Sequence, residues 1–191
     1  MKNRILCGRE ISKTYMQGGK ETKILTNIDV ELYEGDFTVI MGSSGAGKST
    51  LLYALSGMET ITAGSVIFRK QEISRFSEKK MAQLRAKEFG FIFQQTHLVS
   101  NLTLFENVAV AGYAAKAGSV KEIREKADML LLNMHVGDAK NRYPSQVSGG
   151  EAQRAAIARA IIGNPGLIFA DEPTGALNSK TGLDVLDTLS R

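Results

Sequence analysis

The sequence feature that most restricts the fold is the nine-residue segment from Gly42 to Thr50, which reads GSSGAGKST. It follows a short apolar run, Phe37 to Met41, and it overlaps the start of a segment with helical spacing, Lys48 to Ser56. Glycines at such a junction let successive backbone N–H groups converge on phosphate oxygens at a helix N-terminus. A glycine-rich turn with an incidental lysine is the alternative, but the strand–loop–helix context favours phosphate binding.

Each residue type in this segment, which we call the phosphate loop, has a chemical reason. Lys48 supplies a positive charge for the β- and γ-phosphates of a nucleotide, and the Ser49 hydroxyl is a candidate ligand of Mg²⁺. The predicted phosphate-binding residues are Gly42, Ser43, Ser44, Gly45, Ala46, Gly47, Lys48, Ser49 and Thr50.

A second motif is an apolar run, Leu167 to Ala170, that ends in two carboxylates, Asp171 and Glu172. Asp171 is predicted to hold Mg²⁺, and Glu172 is predicted to orient or deprotonate an attacking water. As an isolated pair the two acids would be interpreted as caps of the next turn before Pro173. Beside a phosphate loop, the metal and base roles are favoured.

A third motif, Ser148-Gly149-Gly150, opens an alanine-rich segment with helical spacing that runs to Ile162. It offers a second set of N–H donors and a hydroxyl at a helix N-terminus. One nucleotide does not easily use two such sites in a single chain, so we predict that this motif clamps the γ-phosphate of a nucleotide held by another copy. On its own, the motif would be an ordinary serine N-cap with a Gly-Gly turn.

Apolar runs alternate with helical segments along the chain, which predicts an α/β fold with a mostly parallel sheet. Strands are expected near residues 1–15, 24–33, 37–41, 64–68, 89–93 and 167–170, and helices near 48–56, 79–87, 104–117, 120–134, 148–162 and 179–190. No strand is expected from Thr96 to Pro144, so this stretch is interpreted as a helical insertion.

Composition excludes several classes of protein. The chain has 191 residues and a formal net charge of +4, and its cations are scattered, so no nucleic-acid partner is expected. Cys7 is the single cysteine, which excludes a disulfide scaffold. No apolar run approaches the roughly 20 residues of a membrane helix, so a soluble, cytoplasmic protein is expected. His97 and His135 lack metal-ligand spacing and are expected to be surface or packing residues.

Together these motifs resemble the nucleotide-binding subunit of ATP-binding cassette (ABC) transporters over nearly the whole chain. Val147 and Glu151 stand where leucine and glutamine are commoner in the family's signature motif, and Asn178 stands where aspartate is usual. An amide at that last position can still bond across an interface. The matching segments are Gly90 to Gln94 (Q-loop), Ser148 to Gly150 (signature), Asp171 to Thr174 (Walker B end) and Ala176 to Asn178 (D-loop).

The details of these segments are most similar to one branch, the ATPases of lipoprotein-releasing, macrolide-exporting, antimicrobial-peptide-resistance and cell-division systems. The resemblance implies a P-loop ATPase core over residues 1–95 and 161–191, with an N-terminal antiparallel β flap. It implies a helical subdomain over residues 96–160 that carries the signature. It also implies a head-to-tail homodimer that binds ATP and Mg²⁺ and powers an integral membrane permease from the inner face of the cell membrane.

The resemblance also assigns roles to individual residues. Tyr15 takes the place of the aromatic residue that stacks on adenine, where the alternative is a half-buried strand residue. Gln94 is expected to sense the γ-phosphate and Mg²⁺ while its loop touches the membrane subunit. The expected catalytic residues are Lys48, Gln94 and Glu172, and the expected Mg²⁺ ligands are Ser49, Gln94 and Asp171.

Two alternatives remain open at this point. The same dimer cycle serves ABC ATPases of the cell-division type, which signal to a membrane partner and transport nothing. Soluble cassette ATPases that act on DNA or ribosomes usually carry tandem cassettes or long insertions, which this chain lacks. The family also places a histidine on the γ-phosphate, at the end of the strand that follows the Walker B strand. Residues up to Arg191 do not reach that strand, so we expect a longer protein, or another segment or copy that supplies the strand.

Overall fold

The computed structural model describes residues 2–172, and the chain divides into two compact units between Met81 and Ala82. The first unit combines an antiparallel sheet with one α-helix, and helix α2 crosses the division. The elements up to that point are β1 (Arg4–Gln17), β2 (Lys20–Tyr33), α1 (Lys48–Leu55), β3 (Ala63–Phe68), β4 (Gln71–Glu72) and α2 (Glu78–Glu88).

Strand β1 is central in the sheet of the first unit, whose order is β2-β1-β3-β4 with every pairing antiparallel. A turn at Gly18 and Gly19 joins β1 to β2, as the sequence predicts. Side chains from the three long strands meet in the core, where Cys7 is buried as a small apolar residue. The core includes Leu6, Ile11, Leu25, Leu55, Val66 and Phe68.

The second unit pairs two parallel strands and packs three longer helices beside them. Ala170 of β6 is aligned with Ile92 of β5, so the two strands end at the same edge. Gly90 allows close packing on this sheet, because an added Cβ would lie 2.6 Å from the Ala160 carbonyl oxygen. The elements are β5 (Phe89–Ile92), α3 (Leu104–Ala115), α4 (Val120–Asn133), α5 (Gly149–Ile161) and β6 (Leu167–Ala170).

Helices α3, α4 and α5 share one apolar core and begin in the same way. Their N-caps are Thr103, Ser119 and Ser148, and each closes a capping box with a glutamate three residues later. The core mixes large aliphatic residues with the alanines of α5, which let neighbouring helices approach closely. Its fully buried members include Leu104, Val108, Ala127, Leu131, Ala155, Ile157 and Ile162.

The structure confirms most of the elements predicted from the sequence, with ends that differ by a few residues. The prediction of a buried strand at Phe37–Met41 is wrong. These residues pair with no strand among residues 2–172, and Phe37 and Met41 are 59% and 87% exposed. An apolar run becomes a buried parallel strand only when strands flank it, and the described sheet of the first unit supplies none. The helix expected at 179–190 lies outside the described residues.

No helix in the described part of the chain has the length and apolar character needed to cross a membrane.

Candidate functional site

The phosphate loop enters α1 at Gly47, which is the N-cap of this helix and has a left-handed backbone with φ of +84°. A Cβ added there would also lie 3.0 Å from Ile24 Cγ2 and 3.3 Å from the Ile24 carbonyl oxygen. Both the backbone conformation and the close approach of β2 therefore require glycine at this position.

The Lys48 side chain folds over the phosphate loop. Its ammonium donates hydrogen bonds to the carbonyl oxygens of Gly42 at 3.0 Å and Ser43 at 2.9 Å. No side chain caps α1, so the first turn of this helix directs backbone N–H groups outward from its positive end. Residues 42–46 are exposed. An accessible loop with a lysine and an uncapped helix start has the chemistry of an anion site.

Tyr15 lies on β1 in the same unit as the phosphate loop, and 38% of the residue is exposed. The Lys13 ammonium lies 4.8 Å from the centre of the Tyr15 ring. An exposed aromatic face of this kind is suited to stacking on a nucleotide base.

Three predicted residues of the second unit, Gln94, Asp171 and Glu172, follow the strands of the β5–β6 sheet at one edge. The Asp171 N–H donates to the Ile92 carbonyl oxygen at 2.8 Å, which extends the pairing beyond β6. Gln94 follows Ile92 by two residues, so it leaves the sheet at the edge where Asp171 and Glu172 begin. Glu172 is exposed and has a left-handed φ of +46°, an uncommon conformation for a residue with a side chain.

Two side chains of α5 hold the loop that carries Gln94. Gln153, only 1% exposed, donates from Nε2 to the Phe93 carbonyl oxygen at 3.3 Å. Arg159 donates to the carbonyl oxygens of Thr96 and His97, each at 2.7 Å, and burial lowers the pKa of its guanidinium. Sequence reasoning missed both residues, although a charged residue between the alanines of a buried helix was a signal. The His97 ring packs edge-on against Phe93 at 5.3 Å, in agreement with a packing role.

Ser148 begins α5 and is engaged with Glu151. Its hydroxyl accepts a hydrogen bond from the Glu151 N–H at 3.3 Å and donates to Glu151 Oε2 at 2.7 Å. The same carboxylate accepts from the Ser148 N–H at 2.8 Å, and the hydrogen bonds from the Ser148 hydroxyl and N–H lower the pKa of Glu151. Gly149 is exposed, and a Cβ added there would meet open space. The signature is therefore a capped helix start with an open glycine beside it.

The oxygen donors expected to hold Mg²⁺ belong to different units. Ser49 offers a hydroxyl in the first unit and Asp171 a carboxylate in the second, and both are hard donors that suit this cation. Within residues 2–172 no group of three or more His, Cys, Asp or Glu side chains could hold a metal ion. Pro173, Thr174 and the predicted D-loop lie outside the described residues.

A glycine-rich loop that joins a lysine to an uncapped helix start defines a P-loop nucleotide-binding protein. A protein-family model described as "ABC transporter" matches residues 25–175. The chain therefore belongs to the ABC transporter family, and the predicted resemblance is confirmed.

Relatives and solved structures agree with this assignment. The lipoprotein-releasing system ATP-binding protein LolD of Wigglesworthia glossinidia brevipalpis is 44% identical over 171 residues, which cover 90% of this chain and 74% of LolD. The bacitracin export ATP-binding protein BceA of Halalkalibacterium halodurans is 40% identical over 187 residues, which cover 98% of this chain and 74% of BceA. A dimeric, post-hydrolysis structure of the ATP-binding cassette MJ0796 bound to ADP and Pi superimposes with a TM-score of 0.91 at 35% identity, covering 98% of this chain and 83% of that one. The fold is that of the ABC ATPase cassettes.

Proposed function

We propose that this chain is the ATP-binding and ATP-hydrolysing subunit of an ABC transporter that powers export or extraction of a substrate by a membrane partner. Membership of the ABC transporter family and relatives named for lipoprotein release and bacitracin export support this function. The single observation that carries it is the phosphate loop, where Lys48 closes the loop over an uncapped helix start. The proposed location of the protein is the inner face of the cell membrane, as a peripheral membrane protein.

Lys48 provides the first test of this function. Its ammonium is proposed to leave the Gly42 and Ser43 carbonyl oxygens and pair with the β- and γ-phosphates of ATP. Lys48→Ala should therefore severely weaken ATP binding measured by calorimetry. Lys23→Ala, which removes an exposed cation from β2, is the matched control. Undiminished ATP binding by Lys48→Ala would contradict the assignment of the phosphate loop.

The chemical step is proposed to use the residues at the β5–β6 edge. Glu172 orients and deprotonates the attacking water, and the Gln94 side chain senses the γ-phosphate. Ser49, Gln94 and Asp171 would hold Mg²⁺, which when bound neutralises charge on the β- and γ-phosphate oxygens. The common edge of the two parallel strands supports the joint action of Gln94, Asp171 and Glu172.

Two copies are proposed to pack head to tail, each ATP lying between the phosphate loop of one copy and Ser148, Gly149 and Gly150 of the other. The dimeric structure of MJ0796 bound to ADP and Pi supports this arrangement. Glu172→Gln keeps the side-chain shape but removes the catalytic base. ATP should therefore remain unhydrolysed and hold two copies together. Light scattering should then report an ATP-dependent dimer, and Glu125→Gln on the surface of α4 is the control. A Glu172→Gln protein that stays monomeric with ATP at high concentration would contradict the clamp.

The remaining proposals concern the architecture of the chain and the binding of the adenine base. We place a helical subdomain at residues 96–160 within a mostly parallel P-loop core, supported by the shared core of α3, α4 and α5 and by the parallel pair β5–β6. Tyr15 stacks on adenine, supported by its exposed position on β1.

The role as a permease-driving subunit is tested by isolating this chain from membranes with its partner intact. An integral membrane protein should then remain bound to the chain.

A further inference from the structure

Lys13 is a buried lysine beside the proposed adenine-binding residue. It precedes Tyr15 by two residues on β1, so both side chains leave the same face of the strand. Lys13 is only 7% exposed. Lysine is almost never buried unless its charge is paired, and the location of this residue therefore needs an explanation.

Three groups surround the Lys13 ammonium. It donates to Glu59 Oε1 at 2.5 Å and to the Thr60 carbonyl oxygen at 2.6 Å. It also lies 4.8 Å from the centre of the Tyr15 ring, within the range of a cation–π interaction. The ammonium thus contacts a carboxylate, a carbonyl oxygen and an aromatic ring.

Glu59 connects the lysine to the tyrosine a second time. The hydrogen bond from Lys13 is the main reason why the pKa of Glu59 lies below its ordinary value, and a hydrogen bond from the Tyr15 side chain adds to the effect. The Lys13 ammonium therefore contacts both the Glu59 carboxylate and the Tyr15 ring, and these two contacts hold the lysine against the ring.

The pairing of β1 with β2 connects Lys13 to the phosphate loop. Lys13 is paired with Leu25 of β2. The Leu25 side chain lies 3.2 Å from the position of a Cβ at Gly47, the N-cap of α1. The lysine is thus one strand away from the residue that begins the phosphate-binding helix.

We propose that Lys13 is a positioning residue for the nucleotide base: its ammonium holds one face of the Tyr15 ring, so that the exposed part of the ring is set to stack on a purine. This inference rests on the proposed stacking of Tyr15 on adenine. A cation on one face draws on the negative π-density of the ring and makes its opposite face a better partner for an electron-rich purine. The phosphates take no part in this contact.

The experiment compares two ligands on the 191-residue chain. Calorimetry with ATP and with inorganic tripolyphosphate, each with Mg²⁺, separates the base from the phosphates. Lys13→Met, which keeps length and removes charge, should lower ATP affinity about three- to ten-fold, the range of a partly desolvated cation–π contact, and leave tripolyphosphate affinity unchanged. Lys23→Met on β2 is the control for the loss of one positive charge. Lys13→Arg keeps a cation that stacks well on aromatic rings, so it should retain ATP affinity.

Four outcomes would overturn the inference. ATP affinity that is unchanged in a folded Lys13→Met protein removes any role of the ammonium in base binding. Equal losses of affinity for ATP and tripolyphosphate in Lys13→Met show that the lysine has only a structural role. If Lys13→Met does not fold, weakened ATP binding by Lys13→Arg leads to the same conclusion. Tyr15→Ala distinguishes failure of the stacking proposal from failure of the inference on Lys13. If Tyr15→Ala binds ATP like the unmodified chain, both the stacking of Tyr15 on adenine and the role of Lys13 are wrong. If Tyr15→Ala is weakened and Lys13→Met is not, only the inference on Lys13 fails.

Discussion

The helix that follows the phosphate loop and the three long helices of the second unit begin in opposite ways. In the second unit, α3, α4 and α5 each start at a serine or threonine whose capping box satisfies the helix's own N–H groups. In the first unit, α1 starts at Gly47 and has no side-chain cap. A capping side chain stabilises a helix by about 1 kcal/mol relative to alanine at the N-cap, and by a few tenths of a kcal/mol relative to glycine. The phosphate loop forgoes that stabilisation, which keeps its backbone donors available for an anion.

Helix α5 combines both designs at the signature motif. Its capping box occupies the N–H groups of Ser148 and Glu151. The intervening N–H groups of Gly149 and Gly150 are not part of that box, and a Cβ added at Gly149 would meet no atom within 4 Å. A helix start can therefore be stable by itself and still offer two donors to a phosphate, provided that glycines fill the first turn.

Gly47→Ala should have the largest effect, because it changes the residue at which α1 begins. A side chain there would combine a strained left-handed backbone with contacts to Ile24, so ATP affinity should fall more than ten-fold and stability by about 1–3 kcal/mol. Gly18→Ala is the matched control, since it shares the left-handed backbone but meets no atom within 4 Å. Calorimetry and urea unfolding measure the two effects. Equal ATP affinities in the two variants would show that the geometry of α1's start is unimportant.

Removal of a cap in the second unit should have a smaller effect of a different kind. Ser119→Ala at α4 should cost about 0.5–2 kcal/mol of stability and leave ATP affinity unchanged. Ser119→Gly should cost only a few tenths of a kcal/mol, because glycine is accepted at N-caps. Urea unfolding measures both values. Equal stabilities of the alanine and unmodified proteins would mean that the capping boxes do not stabilise these helices.

Replacement of Glu151 tests whether the capped start of α5 also lies beside a phosphate. Glu151→Gln keeps the hydrogen bonds to Ser148 but removes a negative charge beside the proposed γ-phosphate contact. In a Glu172→Gln background, the ATP-dependent dimer should form at a several-fold lower protein concentration, because like charges near a phosphate oppose binding. Glu122→Gln, in the equivalent position of α4, is the control. Weaker dimerisation by Glu151→Gln would contradict the placement of a phosphate at this helix start.

Mild acid should distinguish the two designs with the smallest effect. Hydrogen bonds from Thr103 and Ser119, the backbone N–H first in each case, lower the pKa of Glu106 and Glu122. A lowered folded-state pKa stabilises the fold above the ordinary glutamate pKa of about 4.3, and this contribution is lost as the pH falls through the lower value. Helix α1 has no acidic residue in its first turn and lacks this dependence. As the pH is lowered, amide exchange should show that the starts of α3 and α4 lose protection before the start of α1. The double variant Glu106→Gln, Glu122→Gln should remove this difference between the helices.

Local signals predicted most of the elements and the phosphate loop. Lys48–Leu55 and Leu167–Ala170 were predictable because a helical spacing and a short apolar run each lie next to a chemical motif. Phe37–Met41 has an equally good strand pattern, but pairing depends on neighbouring strands and cannot be derived from the segment itself. The interactions of Gln153 and Arg159 were also out of reach, since their acceptors are backbone carbonyl oxygens about sixty residues earlier in the sequence.

The central position of β1 has a consequence for synthesis on the ribosome. Its partner β2 follows directly after a two-glycine turn, so the β1–β2 hairpin is available as soon as Tyr33 has emerged. Hairpins form within about 1–10 μs, far faster than a ribosome adds a residue. The other edge of β1 pairs with Ala63–Phe68 and stays open until those residues emerge, which takes several seconds at about 5–20 residues per second. The nascent hairpin therefore carries the β3-facing edge of β1 unpaired through its early synthesis, in addition to the outer edge of β2, and such an edge can pair with another chain.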